Sequence, residues 1–207
     1  MLNYQKVDQK RLHFGFTLGI NTMDFAIYNS GFGIARAEQV VFTPGFSVGI
    51  VSDLSLHENV ALRFLPGLEF GQRTIHYSNL SQDEVTVESV LVTLPLLLKY
   101  RAKRINNFRP YLIGGGSYKI DVQSQKRLKP DDNMLVRLNA TDVYLELGAG
   151  IDFYLPYFKL ATELKFAIGL KDMLNHGYDV DNPGYEAYTD AIQKMKSKVI
   201  TLSFHFE

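Results

Sequence analysis

The chain contains no cysteine and no tryptophan. Without thiols there are no disulfides, no thiolate metal sites and no cysteine nucleophile. No run of about 18 apolar residues occurs, which excludes a transmembrane helix. Formal net charge is zero over 207 residues, so there is no basic surplus for a nucleic-acid partner. The opening MLNYQKVDQK has no apolar centre and is not a signal peptide. It is expected to start a mature form with an added Met. Neither G-x-S-x-G, H-E-x-x-H nor a phosphate loop occurs. The GGG at 114–116 lies inside an apolar alternating stretch rather than before a helix, so it marks crowding or a bend. The sequence therefore requires no cofactor, no small-molecule substrate and no enzymatic activity.

What is present is alternation. In RLHFGFTLGIN (11–21), Leu12, Phe14, Phe16, Leu18 and Ile20 occupy every second place. His13, Gly15, Thr17 and Gly19 lie between them. That is the period of a β-strand with one apolar and one small, weakly polar face. The pattern recurs at 40–50, 60–77, 88–100, 108–122, 142–154, 158–171 and 198–207, giving eight candidate strands. The one helix candidate, 185–196, lies in a connector. Connectors after strands two, four and six are short (SDLSLHEN, RAKRINN, LPY). Those after strands one, three, five and seven are longer. Antiparallel neighbours then gather all long loops at one end, with both termini at the other. Outer-membrane barrels have this layout, with short periplasmic turns and long external loops.

Alternation alone does not choose between lipid and a protein core outside the apolar face. The polar faces do. His13, Gly15, Thr17, Gly19 and Thr43, Gly45, Ser47, Gly49 are too small for a solvated surface but suit a narrow lumen. The expected fold is all-β, an eight-stranded antiparallel up-and-down transmembrane β-barrel with a polar, filled lumen. Residues 1–10 form an N-terminal periplasmic segment and 11–207 the barrel. Phe153, Tyr154, Tyr157, Phe158, Tyr100, Phe108, Phe204 and Phe206 would form an aromatic girdle at the turn end.

The inward parity carries charges. Across a turn at Tyr154–Tyr157, Asp152 would oppose Lys159, Glu146 would oppose Lys165, and Gly148 would face Glu163. Opposed unlike charges stabilise a sheet and like charges oppose it. Arg63, Glu69, Arg73 and Lys99 share the inward parity. Together these nine residues would fill the lumen, since eight strands leave no aqueous channel. At the closing seam Arg11 would oppose Glu207 and His13 would oppose His205. Two imidazoles suggest a metal, but no third ligand is evident. The loop 172–197 carries Tyr178, Tyr185 and Tyr188, residues for a partner contact or simply a solvated loop.

KRLHFGFTLGINTMDF (10–25), LPLLLKYRAKR (94–104), RPYLIGGGSYKID (109–121), LELGAGIDFYLPYFKLATELKFAIGLKDML (145–174) and ITLSFHFE (200–207) resemble the PorT (SprT) family of small barrels in the outer membrane of Bacteroidetes. The motifs around Pro95, Arg109–Pro110 and Glu163 specify architecture. The opening stretch and the length point more narrowly to that family. The resemblance implies a non-enzymatic accessory subunit of the type IX protein secretion system, partnered by outer-membrane lipid and by other secretion components, including a separate, much larger translocon barrel. The remaining alternatives are a soluble lipocalin-like ligand-binding barrel, a lipid-acting barrel enzyme and a surface adhesin or receptor.

Overall fold

A computed structural model gives the structure of residues 10–29, 36–39, 43–78, 84–123, 139–172 and 192–207. Ten strands are present among them: β1 (Leu12–Asn29), β2 (Arg36–Gln39), β3 (Pro44–His57), β4 (Val60–Phe64), β5 (Gly67–Ser78), β6 (Glu84–Arg101), β7 (Phe108–Asp121), β8 (Thr141–Tyr154), β9 (Lys159–Gly169) and β10 (Ile192–Phe206). All pairings are antiparallel. The sheet runs β1-β10-β9-β8-β7-β6, then through β4 and β5 to β3, and β3 returns to β1. The result is a closed barrel of eight staves, in which β4 and β5 form one stave.

Proline divides that stave. Pro66 follows Leu65 at the break, and Pro95 stands in the neighbouring β6. Neither can donate to the ladder. Leu65 N donates to Pro95 O at 3.3 Å and Ile50 N to Pro66 O at 2.9 Å, so the wall stays joined across the interruption.

Several strands are longer than the alternation suggests. β1 continues to Asn29, β6 starts at Glu84 and β10 starts at Ile192. Ile192–Lys196, placed by sequence in a helix candidate, is strand; 185–191 lies outside the described residues. β1 and β6 have 18 residues each, more than the roughly 9–11 needed to cross a bilayer. Both run on at the loop end, where pairing satisfies the backbone whatever the side chains. The stretch SDLSLHEN is also not a loop. β3 keeps alternating to His57, and only Glu58 and Asn59 separate it from Val60.

The distribution of side chains is the reverse of a water-soluble barrel. Leu12, Phe14, Phe16, Leu18 and Ile20 are 45–63% exposed on the outside. Arg63, Lys99, Asp53 and Glu146 are wholly buried inside. Lys, Asp, Glu and Arg are almost never buried unless paired. Crowding explains the glycines: a Cβ on Gly115 would strike the Leu96 carbonyl oxygen of the adjacent strand.

Candidate functional site in the barrel lumen

The inward residues divide into layers along the barrel axis. Nearest the turns, Arg63 of β4 is the centre. Its Nε and Nη2 donate to the two carboxylate oxygens of Asp53 at 2.6 and 2.8 Å. Its Nη1 donates to Glu163 Oε2 at 2.7 Å. Only a planar guanidinium holds one carboxylate by a two-pronged contact while reaching a second. Tyr111 donates its hydroxyl to the same Glu163 oxygen at 2.9 Å. Lys99 Nζ lies 3.0 Å from Asp152, 3.5 Å from Asp53 and 3.8 Å from the Tyr111 ring centroid. Lys159 pairs with Glu207 at 2.7 Å, and Glu207 also lies 3.4 Å from Arg63. His205 Nε2 is 3.4 Å from Glu163.

A second group sits at mid-barrel. Lys119 Nζ is 2.7 Å from Glu69 and 3.7 Å from Glu146. Lys165 pairs with Glu146 at 2.8 Å, and Ser117 donates to Glu146 at 2.5 Å. Towards the loops apolar side chains join the polar ones. Met23, Leu91, Tyr144, Ala167 and Val199 form a buried cluster. Arg73 enters it and donates to Ser197 Oγ at 3.0 Å. The polar filling continues at the loop end, where Arg73, Ser89, Asp121, Asp142 and Ser197 are buried beside that apolar cluster.

All nine lumen residues expected from parity are buried on the inside: Arg63, Glu69, Arg73, Lys99, Glu146, Asp152, Lys159, Glu163 and Lys165. Their pairing differs from the expectation. In the β8–β9 ladder Tyr154 opposes Lys159, Asp152 opposes Ala161 and Glu146 opposes Ala167. The turn is Leu155–Phe158, closed by Leu155 N donating to Phe158 O at 3.0 Å. This register places long side chains opposite glycines, Glu163 beside Gly150 and Lys165 beside Gly148. The glycines make room for neighbouring β7 side chains: a Cβ on Gly150 would strike Tyr111 and one on Gly148 would crowd Ile113. Lys165 still reaches Glu146 diagonally, whereas Asp152 turns to Lys99 and Lys159 to Glu207.

The seam also differs. Thr17 opposes His205 and Phe16 opposes Phe206. His13 lies opposite Asp53 of β3, four residues from Thr17, or about 13 Å along the strand. The two imidazoles do not meet, and no metal pair forms between them. Arg11 lies outside the β1–β10 ladder, and Glu207 turns into the lumen instead of facing it. Tyr154 is not in the outer girdle: it is buried, with the Arg104 guanidinium 3.7 Å from its ring centroid. Phe16 and Phe206 do stack outside, 4.8 Å apart, with Phe158 6.2 Å from Phe206. Tyr178, Tyr185 and Tyr188 lie outside the described residues.

Sequence reading passed over Asp53, Tyr111 and Lys119. Tyr111 and Lys119 share the odd, inward parity of β7. Asp53 was assigned to a turn, although Leu54 and Leu56 continue the outward series beyond it.

The outer membrane protein beta-barrel domain family matches residues 3–175. The chain belongs to that family. Members of the outer membrane protein beta-barrel domain family carry this fold in the outer membrane. The match stops short of β10, yet β10 closes the barrel against both β1 and β9. The outer membrane protein OprG from Pseudomonas aeruginosa has a similar fold, with 14% identity, a TM-score of 0.50, and coverage of 93% of this chain and 92% of that one. Neisserial surface protein A aligns over 95% of this chain and 98% of its own at 12% identity, with a TM-score of 0.48. The comparison with curated proteins produced no match.

Proposed function

We propose that this outer-membrane barrel acts through its outside, as a non-enzymatic accessory subunit of the type IX protein secretion machinery of a Bacteroidetes bacterium. The filled lumen is the observation that carries the reading. Arg63, fully buried and bonded to Asp53 and Glu163, occupies the space a conduit would need. Eight strands enclose room for side chains and little else. Transport then belongs to another, larger barrel, and this subunit contributes contacts from its wall and loops. The secretion assignment rests on the sequence resemblance in the opening stretch and on the length of the chain. On this reading both termini are periplasmic, the long loops are extracellular, and the apolar wall sits in outer-membrane lipid.

Affinity purification from detergent-solubilised outer membranes of the native host, after mild crosslinking, tests this. The expected result is co-purification of the large translocon barrel or its associated secretion components. Recovery of a folded, heat-modifiable barrel without any of them, together with normal secretion in a deletion strain, overturns the assignment.

A further inference from the structure

The outer wall is not uniformly covered. Near the turn end one row of outward residues reads Tyr100, Leu112, Ala149, Leu164 and Leu202 across β6 to β10. Ala149 is the small member of that row. On the turn side of it stand Pro110 and Thr162, flanking Ile151. The short side chains leave a trough of about 560 Å³ in the apolar wall, and Ala102 lines it at the turn. Leu112 and Leu164 stand on either side of Ala149 and are 60% and 44% exposed.

The turn beside the trough is cationic. RAKRINNFR (101–109) contains Arg101, Lys103, Arg104 and Arg109 and no carboxylate. Arg101 and Arg109 are spent inward. Arg101 Nη2 donates to Ser55 Oγ and His57 O, and Arg109 donates to Ala102 O and Glu58 O. Arg104 lies over Tyr154 and donates to Asn106 O at 2.8 Å. Lys103 is exposed and adjoins Ala102, where the trough meets the turn. Tyr100, 58% exposed, and Tyr157, 88% exposed, stand at the same end of the wall. Tyrosines concentrate at the headgroup level of a membrane.

We infer that this trough is a binding site for one glycerophospholipid of the turn-side leaflet. One acyl chain lies over Ala149 between Leu112 and Leu164, and the phosphate meets Lys103. An apolar slot headed by Lys103 matches an amphipathic anion: the slot excludes charge, and the ammonium attracts it. The site depends on the chain being an outer-membrane barrel and not on the secretion role, so it stands or falls separately from that proposal.

Native mass spectrometry of the full barrel in a neutral maltoside detergent, titrated with phosphatidylglycerol or phosphatidylcholine, tests it. The native barrel should retain one phosphatidylglycerol in preference to phosphatidylcholine. Filling the trough with Ala149→Phe and Thr162→Phe should lower retention of both lipids about tenfold. Lys103→Glu, in an exposed turn that leaves the wall intact, should lower phosphatidylglycerol retention about threefold, to the phosphatidylcholine level. Heat-modifiable mobility confirms that each variant is folded. Equal retention by native and trough-filled barrels reduces the lipid to nonspecific annulus and overturns the site. Unchanged preference in Lys103→Glu overturns it as well. A dimer that disappears on filling the trough would give the surface to a second copy of this chain and also overturn the lipid assignment.

Discussion

The turn-end and loop-end halves of the lumen obey one parity rule and end up with different chemistry. Near the turns, Arg63, Lys99 and Lys159 interlock with Asp53, Asp152, Glu163 and Glu207. Near the loops, Met23, Leu91, Tyr144, Ala167 and Val199 pack as an apolar cluster, with Arg73, Asp142 and Ser197 buried beside it. Charges that must leave water are costly unless geometry and partners compensate. At the turn end each ion reaches at least one partner, and Arg63 and Lys99 each join carboxylates from separate staves. Stave is tied to stave there by directional bonds. At the loop end directional bonds such as Arg73 to Ser197 share the work with apolar packing, which tolerates exchange of one apolar group for another. Among the described residues, the barrel end carrying the termini therefore holds the denser ion-pair network, and the opposite end combines apolar packing with polar contacts.

The strongest way to break that contrast is at Arg63. Arg63→Met leaves Asp53 and Glu163 buried without their principal cation. It should destabilise the barrel by about 3–5 kcal/mol, read from urea unfolding in phospholipid vesicles. A loss below about 1 kcal/mol would show that the ionic network does not hold the turn end together. In the other half, Leu91→Ala should cost about 2–4 kcal/mol in the same assay, from lost burial and the cavity left behind. If that loss exceeds the loss at Arg63, the contrast is inverted.

Gly150→Ala probes how tightly the ionic end is packed. Its Cβ would meet Tyr111 Cζ and the Thr162 carbonyl oxygen, so both the ring that bonds Glu163 and the β9 backbone are pressed to move. A cost of about 1–3 kcal/mol is expected, with a change in near-ultraviolet circular dichroism from the moved tyrosine. An unchanged spectrum and unchanged stability would mean that the ring has space the structure does not give it. The smallest effect is expected outside the lumen. Lys198→Ala, exposed on β10, should change stability by no more than about 0.5 kcal/mol. A larger loss would place part of the barrel's stability on its outer surface.

Much of this arrangement was legible in the residues. Leu12 to Ile20 alternate with His13 to Gly19, and that alone separates the two faces of β1. The contrast of small polar with large apolar faces identified the inside, because lumen space is scarce and lipid accepts bulk. Elsewhere the same signal was stopped too early. Asp53 continues the parity of Val51, but the polar letters around it read as a turn. Met23 and Met195 are buried in the lumen at the loop end. Both lie beyond the strand limits read from alternation, although Leu91, Tyr144, Ala167 and Val199 of the same end lie within them.

By itself the sequence determined which side chains face inward and which face the membrane, since strand periodicity is local and every second residue shares a face. It also determined the up-and-down order, through the unequal connectors. Which charge meets which was decided only by the tertiary structure. Ladder arithmetic pairs neighbours on adjacent strands, so it set Asp152 against Lys159 and His13 against His205. In the closed barrel, long side chains cross the lumen and reach strands remote in the chain. Asp152 finds Lys99, and Glu163 finds Arg63, one hundred residues away. Partners across a lumen depend on the register of every stave at once, and no local pattern encodes that sum.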